Sequence, residues 1–180
     1  MEPLLFTGRS ILTMVHGIAL GGGALMGLAT ALFALQVMPA DDGLSSAPSR
    51  HVRSLQWLLV ATAVLLWLTV LAGTYVIFPP YRATPPEGVT DLSFYPRSLI
   101  QSNPQTVWLH AFAMEVKEHT PWIAAILSTA VAFVGVKYRS SLLSNPALKR
   151  MATALLTIAF VLVAFVAVLG VFINKVAPLE

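Results

Sequence analysis

Four long apolar stretches limit what this chain can fold into. A helix needs about 20 apolar residues to cross the hydrocarbon core of a bilayer, and lipid tolerates no unpaired backbone groups. Each stretch reaches that length, the third with a polar extension at its start. The sequence therefore predicts an all-α fold, a four-transmembrane-helix bundle forming one domain. The predicted helices cover about residues 10–38, 55–78, 104–137 and 149–174.

Composition agrees with a membrane protein and excludes several kinds of site. Of 180 residues, 57% are hydrophobic and 11% charged, whereas soluble domains are roughly 25% charged. The absence of cysteine excludes disulfides, iron–sulfur clusters and covalently attached haem, and leaves His, Met and carboxylates as metal ligands. The net charge of +3 is scattered, so no nucleic-acid partner is predicted.

The connections predict the orientation and a candidate docking surface. The residues flanking the two short connections carry six Lys or Arg, against five on the other side. The positive-inside rule then places both termini and the long 79–103 loop outside, in the periplasm of a bacterial inner membrane. A loop of this length usually has a function. It is expected either to cap the helix ends or to dock other subunits of a membrane complex.

Two histidines fall at a similar depth on different predicted helices. Counting about 1.5 Å per residue from the inner helix ends puts His16 and His119 near the outer face. A single histidine at a membrane boundary is more often a satisfied polar group than a ligand. Two histidines at the same depth, one of them next to a carboxylate, make metal ligation as good an interpretation as a satisfied polar group.

The polar start of the third helix supplies the other candidates. At about 100° per residue, Glu115 and His119 share one face with Glu118 on its flank, and His110 and Lys117 lie opposite. A carboxylate one turn before a histidine can orient it or take its proton. We predict Glu115 as proton acceptor or orienter, Glu118 beside it, His119 as ligand and His110 as alternative ligand. In the competing interpretation, favoured for Lys117, these charges only solvate the helix end.

Glycines continue the His16 face along the first helix. Gly23 and Gly27 follow at small-xxx-small spacing, which lets a flat group or another backbone come close. They are predicted to bind the cofactor. The alternative, more common in membrane helices, is a face for helix packing.

The chain resembles the small four-helix membrane cytochromes b and haem-handling quinol-linked subunits. The resemblance rests on His16 followed by small residues, on His119 opening the third span and on the basic link Lys149-Arg150 into the fourth. It implies one b-type haem near the outer face, with His16 and His119 as the iron ligands, and quinol as substrate. The second and fourth spans hold no histidine, so a second haem is not implied.

Two functions from different classes remain open. The first is an electron-transfer subunit of an oxidoreductase complex, passing electrons between quinol and an outside partner. The second is a cofactor-free accessory or assembly subunit of a respiratory or photosynthetic complex. A weaker third option is a non-haem copper or iron site built from Glu115, His119 and His16. A transporter is disfavoured, because no charge falls in the middle of the spans.

Overall fold

Four long helices make up most of the protein. The computed structural model describes residues 8–39 and 49–177, and no strand occurs among these residues. The helices with the length and apolar composition to cross a membrane are Ser10–Val37, Arg50–Tyr81, Leu109–Tyr138 and Pro146–Val176. We number them in chain order as the first to fourth long helices. The prediction of an all-α chain with four membrane-length helices is confirmed.

Side-chain caps and a turn decide where three of these helices begin. The Ser49 hydroxyl oxygen accepts a hydrogen bond from the Val52 amide at 3.3 Å, which starts the second helix earlier than expected. The Asn145 side chain accepts one from the Ala147 amide at 2.9 Å and caps the fourth. The Asn103 side chain accepts a hydrogen bond from the Gln105 amide at 2.9 Å and closes a local turn. The third long helix begins after this turn, at Leu109, which is later than the sequence predicted.

The long helices pack as a ring in which each contacts the one before and the one after, and the fourth contacts the first. Consecutive neighbours run in opposite directions. The start of the first helix, the end of the second, the start of the third and the end of the fourth therefore meet at one end, called here the His16 end. The opposite end is called the short-connection end. Large side chains that fill the core include Leu28, Leu35, Leu55, Leu59, Leu66 and Leu156.

The connection between the second and third long helices packs partly against the His16 end. It contains a short helix, Pro96–Gln101, whose Ile100 is fully buried. Tyr81, where the second long helix ends, is only 2% exposed, whereas Phe94 in the connection is 56% exposed. The connection thus has one side buried against the helix ends and another side open.

Three of the long helices contain a π-helical segment at the His16 end. These segments are Val15–Gly22, Gly73–Ile77 and Leu109–Met114. A π-helical turn holds an extra residue and occurs often at functional sites. The rest of each long helix is α-helical in the described residues, so the irregular backbone is concentrated around one end.

Candidate functional site

His16 packs on the backbone of the second long helix. A methyl group added at Gly73 would come within 2.8 Å of its ring atom Cε1, so only a glycine leaves room for the imidazole. The ring nitrogen Nδ1 is buried and has no hydrogen-bond partner among the described residues. A buried polar atom left unpaired costs about 1–3 kcal/mol. His16 therefore offers a hydrogen-bonding group that the described protein does not use.

Lys117 reaches from the third long helix to the fourth. A methyl group added at Gly170 would come within 2.7 Å of its ammonium nitrogen Nζ. Gly170 lies about 9 Å inside the end of the fourth helix at Val176. Lys117 therefore lies at the same end of the bundle as His16. In the described ranges no carboxylate forms an ion pair with Lys117.

Each long helix thus contributes one residue to these two contacts, in each of which a nitrogen-bearing side chain lies against a glycine. His16 comes from the first, Gly73 from the second, Lys117 from the third and Gly170 from the fourth. We call these four residues the interior polar site. Two carry nitrogen atoms that can donate hydrogen bonds, and two are glycines that allow close approach. Such a cluster can hold an acceptor oxygen or an anion, or exchange a proton.

A second polar pair lies where the second long helix ends and the third begins. The Tyr81 hydroxyl and His110 Nδ1 are 3.0 Å apart, and the ring centroids are 6.1 Å apart. Which atom donates depends on the histidine tautomer. This pair joins the end of the second long helix to the start of the third.

Glu115 and His119 lie on the outer face of the third long helix. Their side chains are 60% and 74% exposed, and His119 Nδ1 is 4.0 Å from the Glu115 carboxylate and 2.8 Å from its carbonyl oxygen. The two residues are close as expected, but they do not face the interior. His119 therefore shares no contact with His16 in the structure. Their pairing as iron ligands stays a prediction without geometric support.

The position of Lys117 corrects the expectation that it only solvates the helix end. Lys117 lies on the buried face of its helix, because the residues spaced 7, 11, 14 and 18 positions further on are all buried: Ala124, Ser128, Val131 and Gly135. His119 continues into exposed residues at the same kinds of spacing: Ile123, Ile126 and Phe133. Small residues along the Lys117 face, against the large apolar residues along the His119 face, are the sequence signal that accompanies this difference.

Gly23 and Gly27 lie in helix–helix contacts in the structure, which supports the packing alternative over a role in cofactor binding. A methyl group at Gly23 would come within 2.9 Å of a Leu65 methyl carbon, and one at Gly27 within 2.5 Å of the Thr62 hydroxyl oxygen. Side chains of the second long helix therefore fill the space beside both glycines. The small-residue spacing brings two helices together and leaves no groove there.

The remaining candidates do not form a metal centre in the described part of the chain. No group of three or more His, Asp or Glu side chains lies close enough to hold a metal ion there. The set Glu115, His119 and His16 is divided between an exposed face and the interior. Glu118 is half-buried and acts on His110 by its charge.

Comparison with known proteins leaves the site to be interpreted from its own residues. The interior polar site combines two nitrogen groups with two close-approach glycines, inside four membrane-length helices. Its chemistry is that of donor groups in an apolar setting, where hydrogen bonds and charges act strongly. No family model matches the chain, and no curated protein or solved structure matches it either.

Proposed function

We propose that this protein is an integral membrane subunit of a redox complex, and that it binds quinol or quinone at the interior polar site. The observation that carries the proposal is that His16 and Lys117 are half-buried among membrane-length helices, each against a glycine of a neighbouring helix. Ionisable side chains are costly there and usually mark a functional site. A quinone is apolar enough to enter from lipid and has oxygens that accept hydrogen bonds.

The outer surface of the bundle supports a lipid environment. Large apolar side chains are widely exposed on it, among them Ile18, Met26, Phe33, Ile126 and Val171. A soluble monomer rarely exposes apolar patches of that extent. These side chains would contact lipid or the apolar surfaces of other subunits.

The proposed orientation places the His16 end in the periplasm of a bacterial inner membrane. The basic residues at the short-connection end support it. Since the chain has no cysteine, single cysteines introduced at Ser93 and at Ser144 report on which side of the membrane each end of the bundle lies. A thiol reagent that cannot cross the membrane should label only S93C in intact cells. Labelling of S144C alone would reverse the orientation.

Proton exchange is the role we propose for Tyr81 and His110. Oxidation of quinol to quinone releases two electrons and two protons. In this proposal the electrons go to a one-electron carrier of a partner subunit, and the protons leave toward the His16 end. The 3.0 Å contact between Tyr81 and His110 supports that route, because histidine accepts protons readily near neutral pH.

A haem held by two histidines does not fit the described residues. His16 has a buried, unpaired ring nitrogen, but His119 is exposed on another face and His110 is engaged with Tyr81. The proposed chemistry therefore includes no step through haem. Quinol remains the substrate, and a partner subunit supplies the electron carrier.

The proposal is tested on protein purified in mild detergent from a quinone-containing membrane. Extracted lipids should contain quinone in near-stoichiometric amount, and H16F should lose most of it while remaining folded. Quinone at background level in wild-type protein, together with no binding of added quinone, would reject the proposal. A b-type haem absorption band that disappears in both H16A and H119A would instead restore the axial pair.

An accessory subunit is the second candidate, and one observation favours it. The glycines that could have formed a cofactor groove are filled by Leu65 and Thr62, as expected of a protein selected for helix packing. Such a subunit would stabilise a larger respiratory or photosynthetic complex through its apolar surface or its connection. Assembly of the complex in a deletion strain, rescued fully by H16F and K117M, would favour this candidate.

A further inference from the structure

We infer that Lys117 Nζ and His16 Nδ1 each donate a hydrogen bond to an acceptor oxygen of a lipid-soluble ligand bound at the His16 end, beside Gly170 and Gly73. The inference rests on the proposed function, which makes these acceptors the carbonyl oxygens of a quinone. Lys117 is the new element, because its charge gives the site a preference for oxygens that carry or gain negative charge. The contacts of each group support this assignment.

Lys117 is placed to meet a ligand instead of water or a protein carboxylate. A lysine near a helix end usually directs its ammonium toward the membrane surface. Here Nζ lies against Gly170, well inside the end of the fourth long helix. The described residues provide no ion-pair partner. An ammonium in that position gains most from a partner that brings an oxygen into the bundle.

His16 supplies a second hydrogen bond from the opposite side of the ring of helices. Its imidazole is held by close contact with Gly73, so the direction of its nitrogens is restricted. Nδ1 is buried without a partner, and in one tautomer it donates. The imidazole and the ammonium can therefore each donate to a ligand bound at this end of the bundle.

A purely structural role for the two residues explains the contacts less well. Polar side chains that hold membrane helices together do so by hydrogen bonds across the interface. Gln56 shows this use in the same protein, donating to the Gly135 carbonyl oxygen at 3.1 Å. Among the described residues His16 Nδ1 makes no such bond. A buried nitrogen that is not used for helix packing indicates a ligand site.

The same chemistry admits two sources of ligand. A quinone carbonyl oxygen and a fatty-acid carboxylate are both acceptors carried by lipid-soluble molecules. The wild-type protein in detergent is therefore titrated with a short-chain quinone and, separately, with oleate. Binding is followed by quenching of tryptophan fluorescence for the quinone, and by calorimetry for both ligands.

Two substitutions remove the donors while preserving shape. K117M keeps the length of the side chain without its charge, and H16F keeps a ring against Gly73 without Nδ1. Each should raise the Kd of the quinone by about tenfold or more, as expected for the loss of a charge-assisted or buried hydrogen bond. K137M is the control, since Lys137 lies on the same helix with its Nζ 5.4 Å from the Phe133 ring centroid. It should leave the Kd unchanged.

A pair of glycine substitutions tests the geometry independently of charge. G170A would push on Lys117 Nζ from 2.7 Å, and G135A would push on a Leu59 methyl carbon from the same 2.7 Å at the other end of the bundle. G170A should weaken quinone binding severalfold, whereas G135A should change stability but not Kd. If K117M fails to fold, G170A still decides the case.

The outcomes distinguish a failure of the inferred ligand site from a failure of the proposed function. Quinone binding lowered by K117M, H16F and G170A supports both. Oleate binding that depends on these residues, without quinone binding, supports the site and rejects the proposed function. Quinone binding that none of the three variants alters overturns the site and leaves the proposed function standing.

Discussion

The two ends of the bundle are built from the same kind of helix but packed in different ways. At the short-connection end, leucine and alanine fill the interior, and Leu59 is 1% exposed against Gly135. At the His16 end, the interior holds an imidazole and an ammonium beside glycines. All three π-helical segments of the described residues lie near that end.

The contrast indicates which features of the protein raise the free energy of the folded state and which lower it. Close apolar packing lowers the free energy of the folded state at one end. An unpaired buried nitrogen and irregular helix geometry raise it at the other. Proteins tolerate such features where they serve a function. Substitutions of Leu59 and of His16 should therefore change stability in opposite directions.

The largest effect is expected from L59A at the short-connection end. Leu59 is 1% exposed, so the substitution leaves a cavity and should lower the free energy of unfolding by about 2–5 kcal/mol. Reversible unfolding in mixed micelles measures it. L68A, at a position 49% exposed, is the control and should cost much less. Equal effects of the two would mean that this end is not the packed core.

A smaller effect of the opposite sign is expected from H16F. The substitution removes a buried nitrogen that lacks a partner among the described residues and keeps a ring against Gly73. The ligand-free protein should become more stable by about 1 kcal/mol. The same unfolding measurement, repeated with saturating quinone, should show stabilisation of wild type but not of H16F. A clear loss of stability in the ligand-free variant would show that Nδ1 is used within the protein.

Y81F tests the polar pair next to the connection. Loss of the 3.0 Å contact with His110 should cost about 0.5–1.5 kcal/mol and slow proton release during quinol oxidation. Y75F is the matched control, because Tyr75 is 69% exposed. A pH indicator in a rapid-mixing experiment follows the proton. Equal rates for Y81F and Y75F would exclude Tyr81 from the route.

The smallest effect is expected on the outer face of the third long helix. H119A and E115Q should each stay within about 0.5 kcal/mol of wild type, because exposed i, i+4 pairs contribute little. Quinone binding should also be unchanged. Loss of activity in either variant would bring back the sequence-based interpretation, with Glu115 and His119 as the working residues.

The sequence draws attention to the polar residues from His110 to His119 but does not show which of them face the other helices. An adjacent carboxylate and histidine suggest a ligand, which favours Glu115 and His119, and their role stays a prediction. The burial pattern further down the helix places Lys117 inside instead. Local chemistry alone cannot decide this, because exposure depends on the register of the whole helix against its neighbours.

By itself the sequence determined the all-α class and the number of membrane-length helices. Both follow from length and hydropathy, because backbone groups in lipid must be paired within the segment. Only the tertiary structure decided which polar groups meet. His16 and Lys117 are about a hundred residues apart in the chain, and the ring packing together with Gly73 and Gly170 brings them into one interior. Contacts between distant segments depend on how helix surfaces fit, which no single segment encodes.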